Sequence, residues 1–194
     1  MKKIGITGSC QSGLGQMNEI FECYGFPVFE ADLAIKFLLN WREDVLRQIR
    51  IQFGSNVLQN GFVDPNKFKT TDKFDRLLDV IEIDIKLLWE EFLLKHSKSK
   101  IVFFKSYIVF ERGWHKMFDK TIYVYKPLEN RIQLINRVFN LSNNDTRLMT
   151  SQELSDKEKL NKSDFVIHNH DNLSLLTQFE SIKYQVLDAP TIML

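Results

Sequence analysis

The sequence predicts an α/β domain with three layers, in which helices cover both faces of a parallel β-sheet. A short strand pattern at residues 4–6 runs into a glycine-rich turn, and a helical segment at 17–24 follows. A second strand pattern at 27–29 completes a βαβ unit, which implies a parallel pair with a right-handed crossover. Further apolar strand patterns, separated by segments of helical spacing, lie at 101–104, 121–125 and 164–167.

The bulk composition limits the class of protein. The chain has 194 residues, enough for one domain with a sizeable core, and its net charge is +1,. This charge does not favour a general binder of nucleic acid or membrane surfaces. Two cysteines, Cys10 and Cys23, are too few for a disulfide framework,, and no apolar stretch approaches the ~20 residues of a membrane span. No signal peptide is visible, so we expect a cytoplasmic protein with no nucleic-acid or membrane partner; its oligomeric state stays open.

Helical spacing follows the second strand. Gly25 is placed to end the first helix, since glycine adopts the left-handed conformation that commonly terminates helices. Residues 33–53 are predicted to be mostly helical, in two pieces that meet around Asn40 and Trp41,.

The middle of the chain combines turn signals with the longest helical pattern. Asn60-Gly61 predicts a loop or a tight hairpin within residues 54–68,. Residues 75–96 then carry a broad apolar stripe at helical spacing, which is expected to pack in the core. The stripe consists of Leu77, Leu78, Ile81, Ile85, Leu88, Trp89 and Phe92.

The last third of the chain alternates helices with polar breaks. A helix is predicted at 128–139, a polar break at 140–145, and a charged helix at about 151–161 that is solvated on most faces,. A helix and a tail are expected after the final strand.

The turn after the first strand has the glycine spacing of a phosphate-binding loop. Gly8 and Gly13 fit the P-loop pattern G-x-x-x-x-G-K-[ST],. Leu14 stands where that pattern has lysine, and Gly15 stands where it has serine or threonine. Backbone N–H groups and a helix N-terminus still favour an anion without the lysine. The sequence therefore predicts a phosphate cradle that has lost its side-chain charge.

Four segments together resemble the dephospho-CoA kinase family, P-loop kinases that phosphorylate the ribose 3′-hydroxyl of dephospho-CoA with ATP. They are residues 4–13 (IGITGSCQSG), 25–36 (GFPVFEADLAIK), 107–111 (YIVFE) and 159–169 (KLNKSDFVIHN). The resemblance runs from Lys3 to about Asn172. It implies a three-layer P-loop kinase fold with a parallel sheet, as a single domain over 1–194, with a helical substrate-binding insert at about 33–96 and a lid at about 128–160.

The resemblance also implies roles for individual residues. Asp32 matches the acidic residue that takes the proton of the substrate hydroxyl, although an aspartate before a helix also fits an N-cap. Lys36 and Glu111 match substrate-binding positions, while a solvated helix lysine and a surface carboxylate are the alternatives. Arg137 matches a lid arginine that reaches ATP phosphates, while a solvent-exposed arginine on an amphipathic helix is the alternative. The implied ATP-binding residues are Gly8, Ser9, Cys10, Gln11, Ser12, Gly13, Leu14, Gly15, Gln16 and Arg137.

The departures at Leu14 and Gly15 bear on activity. The family uses ATP and Mg²⁺, and each missing phosphate-binding or Mg²⁺-binding group could cost ~10²–10³ in rate. A lysine from another segment could compensate, and the candidates are Lys2, Lys3, Lys36 and Lys105. We therefore expect a dephospho-CoA kinase of coenzyme A biosynthesis with impaired catalysis. The alternative is an inactive relative that only binds nucleotide or CoA.

Two further constellations carry weaker signals. His168 and His170 could form half of a metal site, but no further ligands have zinc-type spacing, so we expect polar loop residues and no bound metal. Cys10 lies at a possible helix N-terminus, where the pKa of its thiol could fall. With no evident His or Asp partner nearby, we favour an ordinary loop residue.

Overall fold

The computed structural model describes residues 1–68, 70–151 and 153–188. The chain divides into two compact units. The sheet unit contains Met1–Val28 and the chain from Lys98 onward, and the helical unit is Phe29–Ser97. The elements in chain order are β1 (Lys2–Gly8), α1 (Met17–Cys23), β2 (Val28–Glu30), α2 (Ala31–Trp41), α3 (Glu43–Phe53), β3 (Leu58–Gln59), β4 (Phe62–Val63), α4 (Thr71–Lys95), β5 (Ile101–Lys105), β6 (Lys120–Tyr125), α5 (Leu128–Phe139), α6 (Asn143–Thr150), α7 (Asp156–Lys162), β7 (Phe165–His168) and α8 (Leu175–Asp188).

The central sheet has the strand order β2-β5-β1-β6-β7. Strand β1 pairs in parallel with β5 and β6, and β6 pairs in parallel with β7. Ile6 therefore lies opposite Lys105 on one side and Ile122 on the other. Because parallel strands end at the same edge, the turns after β1, β5, β6 and β7 all leave from that edge, where ligands bind in such sheets. The predicted parallel α/β sheet is confirmed.

One face of the sheet is covered by α1 and α8. Phe21 of α1 stacks on Phe103 of β5 with ring centroids 4.3 Å apart, and it meets Phe179 of α8 edge-on at 5.5 Å. The opposite face is covered by the turn before β6, where Trp114 and Phe118 pack on Phe104 at 5.5 and 5.1 Å. The core cluster of the first face contains Ile4, Ile6, Leu14, Met17, Phe21, Ile101, Phe103, Ile122, Val124, Ile167, Phe179, Ile182 and Val186.

The helical unit consists of α2, α3 and α4 with the β3–β4 hairpin. The break between α2 and α3 falls at Arg42, which is extended and donates to Asp44 at 2.7 Å and to Asp84 of α4 at 3.3 Å. The hairpin turns at Asn60 and Gly61, with φ of 53° and 86°, the left-handed pair that a two-residue turn requires. The two-piece helix and the predicted hairpin are both confirmed.

Two predictions for the segment after α5 are wrong. The polar stretch at 140–145 is only partly a break, because α6 begins at Asn143, where the Oγ of Ser142 accepts the N–H of Asp145 at 3.2 Å. The charged helix begins at Asp156 instead of 151, after a capping box formed by Ser155 and Glu158,. Most of this helix is solvated, as predicted, since Lys157, Glu158, Asn161 and Lys162 are exposed, but Lys159 is buried.

None of the described helices is long and apolar enough to cross a membrane.

Replacing Gly5 with alanine should destabilise the sheet unit, because a Cβ at this position would lie 2.3 Å from the ring of Phe118. That ring already packs on Phe104, so it must shift. We expect Gly5→Ala to lower the free energy of unfolding by about 1–3 kcal/mol, measured by urea denaturation. Gly15→Ala is the matched control, since nothing lies within 4 Å of its added Cβ. Equal stability of the two variants would contradict this packing.

Candidate active site

The turn after β1 is shaped by close approaches that exclude side chains. The N–H of Ser12 donates to the carbonyl of Ser9 at 2.9 Å, which folds the turn back over the strand end. A Cβ on Gly8 would lie 2.2 Å from the Oγ of Ser12, and a Cβ on Gly13 would lie 1.9 Å from the Nδ2 of Asn169. Gly13 also has a φ of +97°. Both glycines are therefore fixed by geometry, as the P-loop spacing predicts.

Several polar groups of the turn are available to a ligand. Within the described part of the chain, the backbone N–H groups of Gln11 and Gly13 have no acceptor, and the Oγ of Ser12 is buried without a partner. Gln11 adopts a φ of 59°, a conformation that is unusual for a residue with a side chain. Such a row of unsatisfied donors ahead of α1 forms an anion cradle.

Leu14 and Gly15 leave that cradle without side-chain charge. The side chain of Leu14 is fully buried in the core cluster, so it points away from the solvent side of the turn. Gly15 has open space where a side chain would project. At these two positions only the backbone can contact a phosphate.

Asn169, at the end of β7, ties the turn to the sheet. Its Nδ2 donates to the carbonyl of Ser12 at 2.9 Å and to the Oε1 of Gln16 at 2.8 Å. In the sequence, Asn169 is only the last residue of the segment 159–169 that resembles the kinase family. Its position directly after a parallel strand was the signal that could have marked it.

The side chain of Ser9 connects the turn to strand β6 and to helix α7. Its buried Oγ lies 3.0 Å from the hydroxyl of Tyr123 on β6 and accepts a hydrogen bond from the Nζ of Lys159 at 3.2 Å. The Tyr123 hydroxyl donates to Asp156 at 2.7 Å. Burial raises the pKa of Tyr123, and its hydrogen bond to the Asp156 carboxylate acts in the same direction. The phenol therefore stays protonated and serves as a donor.

Five charged side chains gather beside Ser9 and Cys10, and we call them the loop ion cluster. They are Arg131, Lys159, Glu111, Glu153 and Asp156. Two cations against three carboxylates give a formal charge of −1.

The two cations of the loop ion cluster are both buried. Lys159 is 1% exposed, and its Nζ lies 2.7 Å from the Oε1 of Glu111 and 3.8 Å from the Oε2 of Glu153. Arg131 is 3% exposed, and its Nη2 lies 3.1 Å from the Oδ1 of Asp156. The Nη1 of Arg131 also donates to the carbonyl of Cys10 at 3.3 Å. Both cations thus contact the phosphate-binding turn directly, Lys159 at Ser9 and Arg131 at Cys10.

Glu153 places a carboxylate directly on the turn. Its Oε1 accepts the backbone N–H of Cys10 at 3.4 Å. The thiol of Cys10 is affected as well: burial raises its pKa to about 11, and the charge of Glu153 adds to this, while Arg131 opposes it. The alternative of a lowered Cys10 pKa is therefore wrong, because desolvation and a nearby carboxylate outweigh the one cation, and the favoured interpretation of an ordinary loop residue stands.

The predicted site residues fall into both units. Glu111 belongs to the loop ion cluster. Asp32 and Lys36 lie on α2 in the helical unit, with Asp32 half-buried and Lys36 exposed. The N-cap position of α2 is Glu30, and Asp32 lies inside the first turn, so the N-cap interpretation of Asp32 is wrong.

The arginine that contacts the turn differs from the one named from the sequence. Arg137 is exposed in the last turn of α5. Arg131, earlier on the same helix, is the residue that reaches Cys10 and Asp156. Among the lysines considered as replacements for the missing P-loop lysine, Lys105 is buried, and its Nζ donates to the Oδ1 of Asn18 on α1 at 2.5 Å.

The two histidines after β7 contact each other. The Nε2 of His170 lies 3.3 Å from the Nδ1 of His168. Within residues 1–68, 70–151 and 153–188, no group of three or more His, Cys, Asp or Glu side chains is placed to hold a metal ion.

Comparison with known proteins connects this geometry to a family. A model of the dephospho-CoA kinase family matches residues 2–174. The dephospho-CoA kinase of Fusobacterium nucleatum is 28% identical over 177 residues, which cover 88% of this chain and 90% of that protein.

Solved structures share the fold. A crystal structure of a Thermus thermophilus protein superposes with a TM-score of 0.80 at 24% identity, covering 98% of both chains. Dephospho-CoA kinase from Campylobacter jejuni superposes with a TM-score of 0.66 at 19% identity, covering 96% of this chain and 98% of that one. The chain therefore shares the α/β fold of these two proteins.

The raised pKa of Cys10 predicts slow alkylation of its thiol. At pH 8 a group with a pKa of about 11 is thiolate in only ~10⁻³ of molecules, and the thiolate is the nucleophile,. Cys23 is exposed. We expect iodoacetamide to modify Cys10 at least ~100-fold more slowly than Cys23, measured by mass spectrometry of the two peptides over time. Denaturant should make the two rates similar, and similar rates in the folded protein would contradict the cluster geometry.

Proposed function

This chain belongs to the dephospho-CoA kinase family, and we propose that it transfers the γ-phosphoryl group of ATP to the ribose 3′-hydroxyl of dephospho-CoA. The product is coenzyme A, which places the reaction in coenzyme A biosynthesis. The observation that carries the proposal is the family match over residues 2–174, which includes both the phosphate-binding turn and the segment around Asp32.

Binding of ATP is assigned to the turn after β1. The N–H groups of Gln11 and Gly13 and the start of α1 favour the phosphates of a nucleotide,. The backbone N–H groups of Gln11 and Gly13 supply the cradle whether or not the side chains of residues 8–16 contribute. Arg137, which is exposed, is proposed to reach ATP phosphates from the predicted lid.

Asp32 is proposed to act on the acceptor hydroxyl. Its carboxylate takes the proton of the 3′-hydroxyl as that oxygen bonds to the γ-phosphorus. The bond between the γ-phosphorus and the oxygen bridging to the β-phosphate breaks, and ADP leaves with that electron pair. This role is general base catalysis, in which the carboxylate also orients the attacking oxygen.

Lys36 and Glu111 are proposed to contact the substrate. Lys36 is exposed on α2 and can pair with a substrate phosphate as a point charge. Glu111 uses Oε1 for Lys159, but its Oε2 is buried without a partner among the described residues. An unsatisfied carboxylate oxygen suits a hydroxyl or amine donor of the substrate.

The described residues contain no site that would hold Mg²⁺ through protein ligands alone,. Gly15 has no hydroxyl, and the described chain contains no cluster of three acidic or histidine ligands. Mg²⁺ binds readily to nucleotide phosphates, with water completing its shell, so we propose that it arrives with ATP. The transfer of the phosphoryl group as proposed does not depend on a protein ligand to Mg²⁺.

Replacing Asp32 tests the proposed base. We expect Asp32→Asn to lower kcat by about 10²–10⁴-fold, measured as coenzyme A formed from dephospho-CoA and ATP. Glu43→Gln is the matched control, because Glu43 also lies in the first turn of a helix, α3. Both changes remove a first-turn carboxylate, worth about 0.3–1 kcal/mol of helix stability, so any loss of turnover confined to Asp32→Asn reflects chemistry.

Turnover that survives Asp32→Asn would remove the proposed role of that residue. A wild-type protein that binds ATP and dephospho-CoA but forms no coenzyme A, even at enzyme concentrations comparable with substrate, would establish the alternative of a binding protein without catalysis. No observation in the structure favours that alternative over the kinase.

A further inference from the structure

We propose that the backbone N–H of Cys10, Lys159 and Arg131 form a phosphate subsite, and that the Glu153 carboxylate fills it until the terminal phosphate of ATP takes its place. In this arrangement Lys159 and Arg131 supply the positive charge that Leu14 no longer provides. The inference rests on the proposed function only in taking ATP as the nucleotide.

Three donors from separate elements already converge on one anion. The Oε1 of Glu153 accepts from the N–H of Cys10 at 3.4 Å. The Oε2 of Glu153 lies 3.6 Å from the Nη1 of Arg131 and 3.8 Å from the Nζ of Lys159. A phosphate group offers more charge and more acceptor oxygens than a carboxylate, and charge-assisted bonds to it are short. The same donors can therefore hold a phosphate more tightly than they hold Glu153.

Glu153 is the member of the loop ion cluster that can leave without dismantling it. Its contacts are all long, its side chain is 24% exposed, and it lies in the segment between α6 and α7. Lys159 keeps a 2.7 Å pair with Glu111, and Arg131 keeps its pair with Asp156. Glu111 and Asp156 would thus hold the two cations in place while Glu153 moves.

The charge balance favours this exchange. With Glu153 in place, the formal charge of the loop ion cluster is −1. Without Glu153, two cations and two carboxylates remain, so the formal charge is zero. Both cations are almost fully buried, where water screens their fields less than at the surface. Removal of one competing carboxylate should therefore raise the affinity for an anion.

A structural explanation exists for Lys159 as well, since a buried lysine needs a partner such as Glu111. The double variant Lys159→Met with Glu111→Gln separates the two explanations. It removes both charges of the pair, so it leaves no unpaired carboxylate, but it also removes the proposed phosphate ligand.

The experiment is isothermal titration of each purified variant with ATP, alongside thermal denaturation. We expect Lys159→Met to weaken ATP binding by about 10- to 100-fold, as for a lost charged hydrogen bond. We expect Glu153→Gln to tighten it by about fivefold or more, because the competing carboxylate is gone. The double variant should recover thermal stability relative to Lys159→Met without recovering ATP affinity.

Two matched controls should leave ATP affinity unchanged. Lys162→Met removes an exposed lysine one turn away on α7. Glu129→Gln removes an exposed carboxylate on α5 that pairs with Arg147.

The proposal is overturned if the double variant binds ATP like the wild type, or if Glu153→Gln does not tighten binding. It is also overturned if Lys105→Met abolishes ATP binding while Lys159→Met retains it, because the charge would then come from β5. Failure of the proposed function is distinct: a wild type that binds ATP but leaves dephospho-CoA unreacted contradicts the function and leaves the subsite standing. A wild type that binds no ATP contradicts both.

Discussion

The buried contact between Lys159 and Glu111 is the interaction on which the rest of the site depends. Removing an ammonium group from water costs several kcal/mol unless partners compensate, and here Glu111 and Ser9 both bind the Nζ. Because Ser9 follows β1, Glu111 follows β5 and Lys159 lies on α7, this one contact connects the turn to two other segments of the sheet unit. Asp156 and Glu153, near Lys159 in sequence, lie in the same cluster and pair with Arg131.

The turn after β1 has the backbone shape of a phosphate cradle but lacks the charged side chain that usually accompanies it. Gly8 and Gly13 are required by steric contacts with Ser12 and Asn169, and none of these contacts needs a charged side chain at position 14. Leu14 contributes to folding instead, as a fully buried member of the core. Packing alone can therefore maintain the P-loop conformation. In our proposal, the positive charge that binds the phosphate comes from Lys159 and Arg131, which lie outside the turn.

Local patterns in the sequence were sufficient to predict the βαβ unit, the hairpin and the glycine turn, since each depends on residues that are close in sequence. They were insufficient to predict the loop ion cluster. Lys159 occupies a charged helix, where a lysine is ordinarily solvated, and its partner Ser9 lies 150 positions away. Arg131 and Arg137 lie on one helix, and only tertiary packing decides which is buried. The start of α6 depended on a single cap at Ser142 within a polar stretch that also resembles a loop.

The most direct test of a cradle whose charge comes from outside the turn is a crystal structure with a non-hydrolysable ATP analogue. We predict a terminal phosphate oxygen within about 3.2 Å of both the N–H of Cys10 and the Nζ of Lys159, with the Glu153 carboxylate displaced from Cys10. A nucleotide whose phosphates occupy the turn while Glu153 still accepts from Cys10, and Lys159 touches only Glu111 and Ser9, would contradict it.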